Sequence, residues 1–371
     1  MTIGLNEFMH EPNCEFNPFP EGISPTLPFL TADVPGIGGE IKKIPEDFFV
    51  EEIPAYLPCG QGEHLFLFIE KRNVSAEQLT QHLASVLSIS PRDIGMAGLK
   101  DRYAVTRQWV SVPARCQSRL SAIEAEDIHL LESSLHTNKL KTGHLKGNRF
   151  RLLIRTILPD ARKHSEQIRQ RILQIGFPNY FGSQRFGKNL QTLQTGMDLL
   201  RGKMNVEAIP FRRRRFLLRL SLSAAQSWLF NHSLANRISV GDATLVHVGD
   251  VMQVTQSGGL FVAENAAAEQ ARLEQGETAI TGPLFGPKMK SPHGLPLTQE
   301  TKVLEAFQLE RSDFLRFKKI TQGTRRPLLM RPKQFSLQQN PEGILADMEL
   351  PRGVYATMLM RELMKPDLQN S

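Results

Sequence analysis

The chain is poor in the features that mark several large protein classes. Its 371 residues include three cysteines, Cys14, Cys59 and Cys116. They are far apart and odd in number, which argues against a disulfide framework or a thiolate metal site and fits a reducing, intracellular setting. No run is apolar enough to span a bilayer, and the first residues, Met1 to Glu7, carry no basic segment, so a cytoplasmic protein is expected. No glycine-rich loop ends in Lys-Ser/Thr, which argues against a nucleotide kinase or GTPase. Gly36-Ile37-Gly38-Gly39 lacks the spacing of a dinucleotide-binding turn and reads as a flexible joint. His129, His136 and His144 follow no zinc spacing, so neither metal nor cofactor is expected.

Positive charge and core material are plentiful. Lys and Arg number 45 against 38 Asp and Glu, a formal net charge of +7, so a polyanion is attracted before any specific contact forms. Hydrophobic residues make up 40% of the chain, and its length exceeds what one core usually serves, so two domains are expected. Pro12, Pro18, Pro20, Pro25, Pro28 and Pro35 predict an extended arm over residues 1–38, with the first packed unit beginning near Glu40. Leu65 to Ile69 fits a buried strand. Ser75 and Gln78 form a capping box for a helix with Leu79, Leu83, Val86 and Leu87 on one face, closed by Ser90-Pro91. Trp109 to Val112 and Phe150 to Ile154 predict strands. A helix from about Asp160 carries Ile168, Ile172 and Ile175 and stops at Gly176. Asn340-Pro341-Glu342-Gly343 predicts a hairpin turn before the alternating Ile344, Ala346, Met348 and Leu350, and a last helix runs from about Tyr355 to Met364. In the middle, Ser223 and Gln226 are expected to cap a helix carrying Leu229, Phe230 and Leu234, and Thr281 to Gly286 reads as a turn.

One stretch stands apart. Gly98-Leu99-Lys100-Asp101-Arg102-Tyr103-Ala104-Val105-Thr106-Arg107-Gln108 sets a carboxylate between two cations in a loop entering a strand. Lys100 and Arg102 are expected to stabilise the charged Asp101, while Gly95 and Gly98 let the backbone turn sharply near a ligand. This stretch resembles the nucleophile motif of the TruD family of tRNA pseudouridine synthases. Pro45-Glu46-Asp47-Phe48, Gly62-Glu63-His64, Leu145-Lys146-Gly147-Asn148, Asn179 to Gly187 and Ala356 to Leu363 resemble that family's other landmarks, in its order. The resemblance covers residues from about 40 to 190 and 335 to 364, and the middle more loosely.

The resemblance implies an α+β fold: a pseudouridine synthase catalytic domain with a central antiparallel or mixed sheet, split over residues 39–202 and 331–371, and a smaller inserted α+β TRUD domain over 203–330. It implies isomerisation of uridine to pseudouridine, at position 13 of tRNA, by a monomer. Asp101 would be the catalytic carboxylate; read alone, it is a turn residue paired with Lys100 or Arg102. Pseudouridine formation breaks the N1–C1′ bond, rotates the base and rejoins it through C5, which an ionised carboxylate can assist by attack or by charge stabilisation. By the same resemblance Phe181 stacks on the target uracil, Asn179 supports its loop, and Lys42, Glu46, Lys100 and Arg361 line the site. The plainer reading of Phe181 is a core anchor, and that of Lys42 and Glu46 a solvated charge pair. Stacking worth about 1–3 kcal/mol per base would offset part of the cost of flipping the uridine.

Two basic clusters edge the middle segment. Arg213 and Arg214, with Arg212, Arg215 and Arg219, lie near its start; Arg325 and Arg326, with Arg311, Arg316, Lys318, Lys319, Arg331 and Lys333, lie at its end. If both edges are hinges, these cations converge on one RNA-binding cleft. Two other classes share these residues: an RNA-binding or RNA-chaperone protein without catalysis, and an Asp-dependent nucleosidase or glycosylase, which would release free uracil.

Overall fold

The structure is a computed structural model and describes residues 26–366; most of the expected arm, residues 1–25 with Cys14, lies outside them. The chain opens with β1 (Gly38–Glu40), β2 (Phe48–Pro54), β3 (His64–Arg72), α1 (Ala76–Leu87), β4 (Gly95–Met96), β5 (Val105–Pro113), β6 (Ile128–His136), β7 (Leu145–Ile157), α2 (Ala161–Ile175) and β8 (Phe177–Pro178). It continues through α3 (Gln191–Leu200), α4 (Arg214–Ser239), β9 (Val251–Val254), β10 (Leu260–Val262), α5 (Ala266–Glu274), β11 (Thr278–Leu284), α6 (Gly294–Ala306) and β12 (Thr324–Pro327). β13 (Leu329–Met330), β14 (Lys333–Asn340), β15 (Gly343–Pro351) and α7 (Ala356–Met364) complete it. Two compact units emerge among the described residues: Phe29–Asn179 continued from Leu329 onward, and Tyr180–Leu328.

The first unit is built on a sheet in the order β14-β15-β7-β2-β5-β3-β6, with β1 beside β7 and β4 beside β5. β2 and β5 run parallel while the other pairs are antiparallel, so the sheet is mixed. Local signals set its helices. The Ser75 hydroxyl accepts from the Gln78 N–H at 3.1 Å and the Gln78 side chain accepts from the Ser75 N–H at 2.8 Å, the reciprocal cap that starts α1. Leu79, Leu83 and Leu87 then bury against Leu65, Leu67, Ile69, Val110 and Val112. α1 closes at Ser88, in the left-handed conformation, and Ser90-Pro91 begins a separate short 3-10 turn. α2 and α7 cover the other part of the sheet, where Ile168, Ile172, Leu359 and Leu363 pack on Leu152, Ile154, Ile344 and Met348. The β14–β15 hairpin turns through Pro341 and Glu342, with Asn340 opposite Gly343.

Packing begins at Phe29 and not near Glu40. Phe29, Val34 and Ile37 are buried, and the Ile37 N–H donates to the Leu363 carbonyl at 3.1 Å. A Cβ at Gly36 would stand 2.4 Å from the Met364 carbonyl oxygen. Gly36 therefore permits close packing against α7, and Gly39 against β7, where a Cβ would stand 2.6 Å from the Arg155 carbonyl oxygen, so the segment is no flexible joint.

In the second unit α4 runs for 26 residues, so Ser223 and Gln226 lie in mid-helix and cap nothing. The four-stranded sheet has the order β10-β9-β11-β12. The Thr281 to Leu284 segment lies in β11, paired with β12 from Thr281↔Pro327 to Leu284↔Thr324, and is a strand where a turn is expected.

Candidate active site

Because β4 pairs with β5 through Gly95↔Ser111 and Met96↔Val110, the chain between them must loop out and return along the same strand. Asp101 sits on that loop with its side chain 46% exposed. Lys42 Nζ, and not a flanking cation, meets its carboxylate: the distance to Oδ1 is 3.0 Å. Lys42 also lies 3.9 Å over the Phe48 ring. Its backbone is held at φ +61, a conformation that costs a residue with a Cβ on the order of 1–3 kcal/mol.

The support for that backbone is the turn that follows. Buried Asp47 accepts from the N–H groups of Lys43 and Ile44, each at 3.1 Å, and takes the Arg155 guanidinium at 2.8–3.0 Å. Burial pushes the Asp47 carboxyl upward, but Arg155 and the two peptide N–H groups outweigh it and hold it below the usual value. Asp47 lies in a stretch that resembles a family landmark, but its pairing with Arg155 is not legible in the sequence, since an ion pair 108 residues apart leaves no local pattern.

Lys100 turns inward instead of toward Asp101. Its Nζ lies 2.7 Å from Glu52 Oε2, and both side chains are almost fully buried. Burial raises the Glu52 carboxyl, opposed by Lys100; an unpaired carboxylate there would be costly, which accounts for the inward turn. Glu46 pairs with Arg72 at 2.5 Å on the surface, and that hydrogen bond holds its carboxyl below the ordinary range. The Tyr103 hydroxyl donates to the Lys43 carbonyl at 3.0 Å, joining the Asp101 loop to the Lys42 turn. From β3, Lys71 Nζ donates to the Asp101 carbonyl at 3.1 Å. Asn179 is buried. The Arg361 guanidinium on α7 lies 4.0 Å over the Phe29 ring. Lys42, Lys71 and Asp101 thus come together, whereas Lys100 and Glu46 go to other carboxylate and cation partners.

Phe181 belongs to the second unit and is 8% exposed. Its N–H donates to Asn231 Oδ1 at 2.8 Å and its carbonyl accepts from Asn231 Nδ2 at 2.9 Å, so both backbone groups are clamped to α4. The ring meets Phe230 edge-on at 5.7 Å and carries the Arg326 guanidinium 4.2 Å over its face. Arg185 approaches the same ring at 5.8 Å.

The basic clusters separate on inspection. Arg212, Arg213, Arg215 and Arg219 are exposed at the start of α4, beside Phe211 and Phe216, which are 83% and 66% exposed. Arg214 is turned to the Ile209 carbonyl at 3.1 Å. Arg325, grouped with these cations in the sequence, is a correction: its side chain is 1% exposed and ion-paired to Glu300 at 2.7 Å. It also donates to the Thr281 hydroxyl and carbonyl at 3.1 and 2.6 Å, so it holds β11 to α6 inside the unit and presents no charge to a phosphate. Among the described residues no His, Cys, Asp and Glu group could hold a metal ion, and no helix is long and apolar enough to cross a membrane.

A family profile for tRNA pseudouridine synthase D (TruD) matches residues 27–210 and 213–363. A tRNA pseudouridine synthase D of Anaeromyxobacter dehalogenans is 43% identical over 344 residues, covering 92% of this chain and 98% of the relative. One from Thermus thermophilus is 40% identical over 339 residues, with 91% and 92% covered. The crystal structure of a Methanosarcina mazei protein assigned as tRNA pseudouridine synthase D superposes with a TM-score of 0.74 at 26% identity, covering 91% of this chain and 95% of that one.

Proposed function

The chain belongs to the TruD family of tRNA pseudouridine synthases, and we propose that it isomerises uridine 13 of tRNA, with Asp101 as the catalytic carboxylate. The observation that carries this reading is the pairing of an exposed loop carboxylate with Lys42 at 3.0 Å, inside a stretch that resembles the family's nucleophile motif. In the reaction the N1–C1′ bond breaks, the base rotates, C5 bonds to C1′, the C5 proton leaves and N1 gains one. Nothing is oxidised or reduced, and the product is an isomer of the substrate. The Asp101 carboxylate would act at C1′, as nucleophile or as stabiliser of positive charge on the sugar. Lys42 holds the carboxylate in place without burying it.

Phe181 is read as the platform for the flipped uracil. Arg326 already lies on its face as a planar cation, the kind of position a planar base occupies, so uracil stacking there requires Arg326 to shift or to share the ring. Its rigid attachment to Asn231 suits a platform as well as a core anchor. Arg213, Arg214 and Arg326 are read as the cations that face RNA, joined by exposed Arg212, Arg215 and Arg219. The protein is proposed to work as a monomer in the cytoplasm, on tRNA alone, without metal or cofactor.

The test is to incubate the protein with unmodified tRNA transcripts and map pseudouridine by carbodiimide modification. Pseudouridine at position 13 supports the reading. Pseudouridine elsewhere keeps the chemistry and overturns the target. Release of free uracil indicates a glycosylase, and binding without modification an RNA chaperone.

A further inference from the structure

Lys71 stands near the end of β3, on the face of the sheet that Leu65, Leu67 and Ile69 share with α1. It is 0% exposed and ranks among the largest fully buried side chains. A buried ammonium loses its hydration, and among the described residues no carboxylate comes within ion-pairing distance of it. Its Nζ donates instead to two peptide carbonyls, that of Val74 at 2.5 Å and that of Asp101 at 3.1 Å. Methionine would fill the same space on an apolar face without that loss, so fold stability alone does not account for a cation here.

The neighbours make the spot more unusual. Lys71 is opposite Thr106 on β5, and Ile69 is opposite Gln108. Both polar side chains are fully buried, and neither the Thr106 hydroxyl nor the Gln108 amide has a hydrogen-bond partner among the described residues. Buried polar atoms without partners are rare. The apolar packing along α1 thus gives way to a polar patch, which reaches the Asp101 carbonyl through Lys71.

We propose that Lys71 is a positioning residue for the reaction: it ties the Asp101 peptide down from inside the unit while Lys42 holds the carboxylate from outside. This rests on the reading of Asp101 as the catalytic group. Residues 97–104 form no helix or strand, so few backbone ties fix where the carboxylate points, and a displacement of about 1 Å can cost on the order of a hundredfold in rate. The charged groups facing Lys71 are Asp101 and Lys100 from the loop; its strand partners, Thr106 and Ile128, carry none. Burial pulls Lys71 down to about 8, Asp101 works against that, and Lys100 adds to it. Its charge is therefore present at neutral pH and lost in mild alkali.

The experiment measures the single-turnover rate on unmodified tRNA between about pH 6.5 and 9.5 for the wild type, Lys71→Met and Lys71→Gln, with circular dichroism to confirm folding. The wild-type rate should fall with an apparent pKa near 8. Lys71→Met should bind tRNA as tightly, react about tenfold or more slowly at neutral pH, and lose the alkaline fall. Lys71→Gln, which keeps a donor but no charge, should recover part of the rate and none of the pH dependence. A flat wild-type profile overturns the proposal even if neither variant folds, as does an alkaline fall that persists unchanged in a folded variant. Full activity of Asp101→Asn would overturn the catalytic reading itself, whereas an inactive Asp101→Asn beside a flat wild-type profile would overturn the Lys71 proposal alone, which separates the two failures.

Discussion

Lys42 Nζ lies 3.0 Å from Asp101 Oδ1 across 59 residues of sequence, and it does so from a backbone at φ +61. A left-handed lysine beside a buried Asp47–Arg155 clasp is a locally costly arrangement whose effect is to deliver one ammonium to one exposed carboxylate. As a surface ion pair it is worth little to stability, with 25% and 46% of the two side chains exposed.

Lys42→Met should accordingly leave the unfolding temperature close to that of the wild type while lowering the single-turnover rate roughly tenfold, because the lost contact is to the carboxylate proposed to react. Equal losses in stability and rate would assign Lys42 to the fold. Differential scanning fluorimetry beside the rate measurement decides between them.

The second unit should carry its own pH signature. His232 is packed between Trp228 and Phe307, with ring centroids 5.0 and 4.9 Å away, and burial lowers it from 6.5 to about 4. The folded state then resists the proton that the unfolded chain accepts. His232 thus leaves stability intact above about pH 6.5 and subtracts up to about 3 kcal/mol as the pH falls from there toward 4. Urea unfolding at neutral and mildly acid pH should show this loss, and His232→Phe should remove it. An identical acid dependence in the variant would place the titration elsewhere.

The arginines should divide by what they touch. Arg213→Gln with Arg215→Gln, both exposed, should weaken tRNA binding and flatten the log–log salt slope by about 0.7–0.9 per contact removed. Arg325→Met should leave that slope alone and destabilise the protein by about 3 kcal/mol, since it takes from the buried Glu300 carboxylate its closer partner and leaves only Arg311 at 3.6 Å. A salt slope unchanged in the double variant would move the RNA-binding surface away from the start of α4.

Elements with local signals were readable from sequence. The Ser75–Gln78 cap, Gly176 ending α2, and Pro341 with Gly343 in the last hairpin all act within a few residues, and each lies where the pattern puts it. Pairings across the fold were not. Asp101 stands between Lys100 and Arg102 in sequence, yet its partner comes from residue 42 because Lys100 is drawn to buried Glu52. Serines inside a long helix look like caps: the Ser227 hydroxyl donates to the Ser223 carbonyl one turn back, a bond that needs no helix end. Gly282 looks like a turn residue, but a Cβ there would stand 2.6 Å from Leu328 and 3.0 Å from Phe230, so the glycine admits close packing within a strand. Lys71, in a Glu-Lys-Arg run, looks like surface charge until the register of β3 turns it inward.

The most direct measurement of the central claim is pseudouridine formation on a tRNA transcript by Asp101→Asn, beside its tRNA affinity. The amide preserves the shape of the side chain and removes the charge proposed to act at the sugar. Binding within about twofold of wild type and no detectable pseudouridine is the predicted result. Substantial pseudouridine from a preparation verified free of wild-type protein would contradict it and remove Asp101 from the catalytic role.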